Sequence, residues 1–128
     1  MHRITLSVIV VLLLLAGCTS KPIINVSNEP IVVASGRTAS TENVRDAIVR
    51  AGSKLGWQMN PTSSGVVEGR LNLRDHGAVV DVKYDTRSYS IVYRDSTNLH
   101  QQNGQIHRNY NGWIENLNRE IRMELLRI

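Results

Sequence analysis

Apolar residues recur along the chain with two different periods, and the switch between them outlines the elements. Val44, Ala47, Ile48, Ala51 and Leu55 lie at i, i+3, i+4, i+7 and i+11, one stripe of an amphipathic helix. Ser40 or Thr41 can cap its start, Glu42 suits the positive end of the helix dipole, and Gly56 supplies a left-handed stop. Asp46 and Arg50, four apart with the acid first, predict a weak surface pair on that helix. Tyr110, Trp113, Ile114, Leu117, Ile121 and Leu125 define a second stripe, with Glu115, Asn118, Arg119, Arg122 and Glu124 expected on its outer sides. Between the helices the period drops to two. Val67, Gly69, Leu71 and Leu73 alternate with Glu68, Arg70, Asn72 and Arg74, and Ala78, Val80, Val82 and Tyr84 with Val79, Asp81, Lys83 and Asp85. A third run sets Tyr89, Ile91 and Tyr93 against Ser90, Val92 and Arg94, while Trp57-Gln58-Met59 opens a shorter strand before the turn Pro61-Thr62-Ser63-Ser64-Gly65.

Charge suggests how these strands align. A turn at Arg74-Asp75-His76-Gly77 sets Leu73 against Ala78 and Leu71 against Val80, and on the other face Arg70 against Asp81 and Glu68 against Lys83. A turn at Asp85-Thr86-Arg87-Ser88 sets Tyr84 against Tyr89, Val80 against Tyr93 and Ala78 against Asp95, which points Asp95 inward. The passage from Ser96 to Gln105 is polar, with a turn at Asn103-Gly104. The expected fold is α+β: a two-layer sandwich in which an antiparallel three- to four-stranded meander carries both helices on one face, in the order α-β-β-β-β-α.

Upstream of the first helix the character changes. From Thr19 to about Ser40 the chain is rich in Ser, Thr, Asn, Pro and Gly, and it reads as a flexible tether with a root-mean-square reach of roughly 25 Å. Ile31-Val32-Val33-Ala34 is the one apolar run in it, suited to an edge strand. Before it come a basic start at Arg3, an apolar core from Ile4 to Leu15 and the small pair Ala16-Gly17, the three parts of an export signal. That core, about a dozen residues, is shorter than the roughly 20 needed for a permanent span. Leu15-Ala16-Gly17-Cys18 resembles the lipobox of bacterial lipoproteins, and Cys18 is the chain's single cysteine. The resemblance implies cleavage before Cys18, a diacylglycerol on its sulfur and usually a third acyl chain on its amine. It also implies an outer-membrane address, because Thr19 and Ser20 rather than Asp follow the cysteine, and the domain is expected to face the periplasm. The chain is accordingly expected to divide into a signal peptide at 1–17, a lipidated N-terminus and tether at 18–40 and a globular domain at 41–128.

Composition narrows the partners. Loss of Arg3 with the signal takes the 15 basic residues to 14 against 11 acidic ones, a mild excess of +3 with no dense basic block. Nucleic acid is therefore not an expected partner, whereas the lipid bilayer, an envelope protein, a glycan or anionic lipid headgroups are. With one cysteine, no disulfide staples the fold.

Candidate chemistry gathers at one end of the expected sheet. His76 lies at a hairpin tip, Asp95 and Ser96 end the last strand, and His107 and Tyr110 open the second helix, so these five form a possible ligand-binding group. The histidines lack paired-ligand spacing and no nucleophile elbow surrounds Ser96, so a hydrogen-bonded loop cluster is the expectation, with neither metal, cofactor nor catalytic residue assigned. The span from Val44 to Leu125, with Gly56-Trp57, Tyr93-Arg94-Asp95-Ser96, Ile106-His107 and Tyr110-Asn111-Gly112-Trp113-Ile114, resembles small bacterial envelope lipoproteins. That resemblance lends no established activity or catalytic residue; the expectation is a non-enzymatic binding or scaffold module for another envelope component, with a small-ligand or metal site at the His76, Asp95 and His107 end of the sheet as the alternative.

Overall fold

The computed structural model describes residues 19–34 and 36–128, so the signal segment and Cys18 lie outside the described residues. The elements follow as β1 (Ser20–Pro22), β2 (Val26–Pro30), α1 (Thr41–Lys54), β3 (Gln58–Ser63), β4 (Val66–Leu73), β5 (His76–Tyr84), β6 (Ser88–Thr97), β7 (Gln105–His107) and α2 (Arg108–Leu125). Strands β2-β6-β5-β4-β3, in that order, make one antiparallel sheet, and β1 pairs with β7 in a separate two-stranded ribbon. The architecture is the α+β two-layer sandwich, with a four-stranded meander as its centre.

The helices form where the pattern places them. Ser40 caps α1, its Oγ accepting from the Asn43 N–H at 3.1 Å, and the helix stops at Leu55 before Gly56, whose φ is 86°. One continuous core joins Val44, Ile48 and Ala51 of α1, Tyr110, Ile114 and Leu117 of α2, and the inward sheet residues Val67, Leu71, Val80 and Ile91. Each Val, Leu or Ile among them, fully buried, contributes roughly 1.5–3 kcal/mol of transfer free energy. Gly52 on α1 and Gly69 on β4 open the space between the layers. A Cβ at Gly52 would stand 2.2 Å from Met59 Sδ, and one at Gly69 3.3 Å from both Met59 Sδ and a Trp57 ring carbon.

Four expectations are corrected. First, the stretch read as a tether is built into the domain: β2 pairs with β6, β1 with β7, and Ile31 and Val33 pack against the core. The strand is Val26–Pro30, polar at its three central residues Ser27, Asn28 and Glu29, rather than the apolar run after it. Backbone hydrogen bonds to strands contributed by the rest of the chain stabilise it, and composition does not report those. Second, β7 adds a strand at the end of the polar passage, directly after the expected turn in which Asn103 and Gly104 have φ of 51° and 76°. The order is therefore β-β-α-β-β-β-β-β-α among the described residues.

Third, the β4–β5 turn is tighter than expected. Leu73 pairs with His76 across Arg74-Asp75, which shifts the register by two, so that Leu71 faces Ala78 and Glu68 faces Asp81. A shift of two leaves every residue on its own face, so the apolar pattern is equally satisfied by both alignments. The two facing acids are held together by Arg94 from β6, whose Nη1 donates to Glu68 at 2.8 Å and to Asp81 at 2.9 Å, while Arg70 donates to Glu68 at 2.7 Å. Fourth, Arg94 sits in a β-bulge: Val80 pairs with Tyr93 but Val79 pairs with Asp95. The extra residue reverses the parity beyond it. Asp95 consequently faces outward and is exposed, and Ser96 takes the inward place opposite Ala78.

The sheet's edges are short and irregular. β2 ends in Pro30 and β3 contains Pro61, and each carries a register shift, which discourages pairing with another chain.

Candidate functional site

The five residues proposed from sequence divide in two. His76 and His107 stack, their ring centroids 6.5 Å apart with planes 19° from parallel. The backbone around them is closely tied: Ser20 pairs with His107, and the His107 N–H donates to Leu99 O at 2.8 Å. Each ring already has a structural partner. His76 Nδ1 donates to Asn98 O at 2.9 Å, and His107 Nδ1 accepts from the Asn109 N–H at 3.2 Å as the N-cap of α2. Those bonds place the proton of His76 on Nδ1 and that of His107 on Nε2. The His107 nitrogen with a free lone pair is thus spent on the helix start, which does not suit a paired metal ligand.

Ser96 and Tyr110 belong to the core end of the same region. Ser96 Oγ and the Tyr93 hydroxyl are 2.8 Å apart, and the Tyr93 and Tyr110 rings meet edge to face at 5.5 Å. The Tyr110 hydroxyl is buried and has no hydrogen-bond partner among the described residues, and its burial raises the phenol pKa above the ordinary tyrosine range. Asp95 is not part of the group. Its Oδ1 turns back to accept from the Ser96 N–H at 2.8 Å on the outer face. The sequence-predicted constellation therefore becomes a stacked histidine pair and a Tyr93-Ser96-Tyr110 cluster, with the serine hydroxyl bonded to a tyrosine instead of a base. No group of three or more His, Cys, Asp or Glu residues in metal-holding geometry occurs among the described residues.

The open clefts lie elsewhere. An apolar groove of about 370 Å³ is lined by Glu29, Pro30, Val32, Arg122, Leu125 and Leu126, where the end of β2 meets the end of α2. Val32 is 60% exposed and Leu126 53% exposed, large values for apolar side chains, and Met123 stands exposed nearby on the same helix end. The groove's two charges neutralise each other, Arg122 Nε lying 3.3 Å from Glu29 Oε1. A more polar cavity of about 330 Å³ lies between the start of α1 and the β3–β4 turn, lined by Thr41, Glu42, Arg45, Ser64 and Tyr84 among others. A third cleft, of about 350 Å³, is bordered by Lys21, Pro22, Ile24, Arg108, Asn111 and Glu115.

Sequence patterning missed the buried polar side of α2. Asn111, Asn118 and Glu124 are all buried, and each ties the helix to a different part of the protein. Asn111 Nδ2 donates to Pro22 O at 2.9 Å and its Oδ1 accepts from the Ile24 N–H at 3.1 Å. Asn118 Oδ1 accepts from the Tyr89 hydroxyl. Glu124 accepts from Lys54, from Arg50 Nε at 3.1 Å and from Arg127 Nη1 at 3.0 Å, and the first of these holds its carboxyl below the usual range. Arg50 is thereby taken from its expected partner, and Asp46 pairs with Arg45 at 3.0 Å instead. The spacing of seven between Asn111 and Asn118, close to two helical turns, is a signal that places those two on one side, whereas Glu124, six residues further on, lies about a third of a turn away and gives no such signal.

No family model matches the chain, and no curated protein and no solved structure is significantly similar to it. No helix among the described residues is long and apolar enough to cross a membrane.

Proposed function

We propose that this chain is a lipid-anchored protein of the bacterial envelope, held through acylated Cys18 in the outer membrane and facing the periplasm, whose domain is a non-enzymatic binding or scaffold module for another envelope protein. The Leu15-Ala16-Gly17-Cys18 stretch supports the anchor. The observation that carries the binding role is the contrast between a filled interlayer core and the open apolar groove at the end of α2. The side chains between the layers pack into one buried cluster, whereas the groove, neutral at its rim and apolar at its floor, has room for one or two apolar side chains of a partner protein. The alternative, a metal or small-ligand site from His76, Asp95 and His107, has less support because Asp95 faces the other side of the sheet.

Two measurements test this reading in the native envelope. Labelled fatty acid should enter the wild-type chain and not Cys18→Ala; equal labelling of both refutes the anchor. A photocrosslinking side chain at Leu126 should give one protein adduct that disappears with Val32→Asp, while the same probe at Lys83 on the outer sheet face gives none. An adduct pattern indifferent to Val32→Asp removes the groove from the binding role.

A further inference from the structure

We infer, resting on the anchor reading above, that the domain is held directly against the bilayer in one orientation, with the β1/β7 end facing anionic phospholipid headgroups. The chain between the lipid and the folded body is too short for anything else. Cys18 is bonded to Thr19, whose carbonyl accepts from the Arg108 N–H at 2.8 Å, and Ser20 pairs with His107. With consecutive Cα atoms about 3.8 Å apart, the acylated residue stands within roughly 8 Å of the pinned strand. The following residues are also tied: the Ile23 N–H donates to Gly104 O at 2.9 Å, Pro22 and Ile24 are held by Asn111, and Asn25 Oδ1 accepts from the Tyr93 N–H at 2.9 Å.

The surface beside that exit suits a phosphate-rich plane. Lys21 and Arg108 are exposed, border one cleft and make no ion pair among the described residues, and Ile24 between them is 44% exposed. Arg74 lies at the neighbouring β4–β5 turn, and the acids at this end are Asp75, Asp95 and Glu115, so the attraction rests on the placement of Lys21 and Arg108 beside the exit and not on an excess of cations. Basic side chains placed at an anionic headgroup layer are attracted to it, and an apolar side chain between them can enter the interface. Helix α2 runs from this end, where Asn111 grips the strand segment, to the far end, where Arg122 meets Glu29. The orientation therefore points the apolar groove away from the membrane, where an envelope partner can reach it.

The lipidated full chain in vesicles of phosphatidylethanolamine and phosphatidylglycerol with a headgroup-linked quencher tests this. Acylation occupies the sulfur of Cys18, the only native cysteine, so a cysteine at Asn109 or Gln101 near the anchored end, or at Ser64 in the β3–β4 turn, is a unique site for a fluorophore. Ser64 lies at the opposite end of β4, a strand roughly 27 Å long. Asn109→Cys and Gln101→Cys labels should lose most of their fluorescence and a Ser64→Cys label little. Equal quenching at both ends in protein that floats with the vesicles overturns the orientation and leaves the anchor standing. Protein that does not float overturns the anchor and the orientation together. Lys21→Glu with Arg108→Glu should float as the wild type but narrow the difference in quenching between Asn109 and Ser64 as the domain tilts about its short anchor; an unchanged difference removes the headgroup contact.

Discussion

Two surfaces of this protein carry similar polar residues to opposite ends. On the outer face of the sheet, Glu68, Asp81, Arg70 and Arg94 form an ion-pair lattice that meets water on its open side. On α2, Asn111, Asn118 and Glu124 are buried and bind the N-terminal strands, β6 and α1 in turn. The lattice prevents two facing acids from repelling each other. The three side chains of α2 decide which parts of the chain are joined to which. Chemical type does not separate these roles; what covers the residue does, because a polar group without water must keep every partner it has.

Substitutions can break that contrast or sharpen it, and Glu124→Ala should have the largest effect. It removes a buried carboxylate from three cations that are each about half exposed and can return to water, so the loss should be about 2 kcal/mol in urea unfolding rather than the larger cost of stranding a buried charge. The same group sets an acid dependence. A carboxyl whose pKa is lower in the folded chain than in the unfolded one contributes stability that is present above the unfolded pKa and lost as pH falls through the folded one. Glu124→Gln should therefore flatten the fall in wild-type stability below the ordinary carboxylate range, and parallel profiles would contradict the assignment.

Asn111→Ala comes next. It frees the Pro22 carbonyl and the Ile24 N–H, about 1–2 kcal/mol by equilibrium unfolding, and the sharper reading is local. Amide exchange at Ile23 and Ile24 should rise while that of β5 is unchanged. Uniform acceleration through the sheet would mean that the N-terminal strands are integral to the cooperative unit and Asn111 is not their particular hold. Arg94→Ala should have the smallest effect, and it should be visible only at low ionic strength. There Glu68 and Asp81 face each other without the shared cation, and added salt screens them. A large loss that persists in high salt would show that the outer lattice matters as much as the buried tie points.

Much of the framework was legible. The helical stripe from Val44 and the one from Tyr110 lie in the core as expected, although Leu55 and Trp113 are only partly covered. The alternation in β4, β5 and β6 assigned inner and outer faces correctly as far as Tyr93. The candidate site was less legible. His76, Ser96, His107 and Tyr110 do share one end of the sheet, but one inserted residue at Arg94 sent Asp95 to the other face. Parity holds along a strand only while pairing is regular, and nothing local in Tyr93-Arg94-Asp95 announces the bulge. The polar N-terminal segment looked unstructured for the same kind of reason: its partners, β6, β7 and Asn111, lie between 58 residues away (Pro30 to Ser88) and 89 away (Pro22 to Asn111).

By itself, the sequence determined the two helices, the central strands β4 to β6, their apolar faces and the α+β class, because the direction of a side chain from a helix or strand follows from local backbone geometry. It also carried the Cys18 stretch, which lies outside the described fold. Tertiary structure alone decided the two-residue register shift, the outward turn of Asp95, the burial of Asn111, Asn118 and Glu124, and the docking of the segment that follows the anchor. Each of those depends on which backbone and side-chain groups of other elements come close enough to replace water as hydrogen-bond partners, and only the assembled chain specifies that.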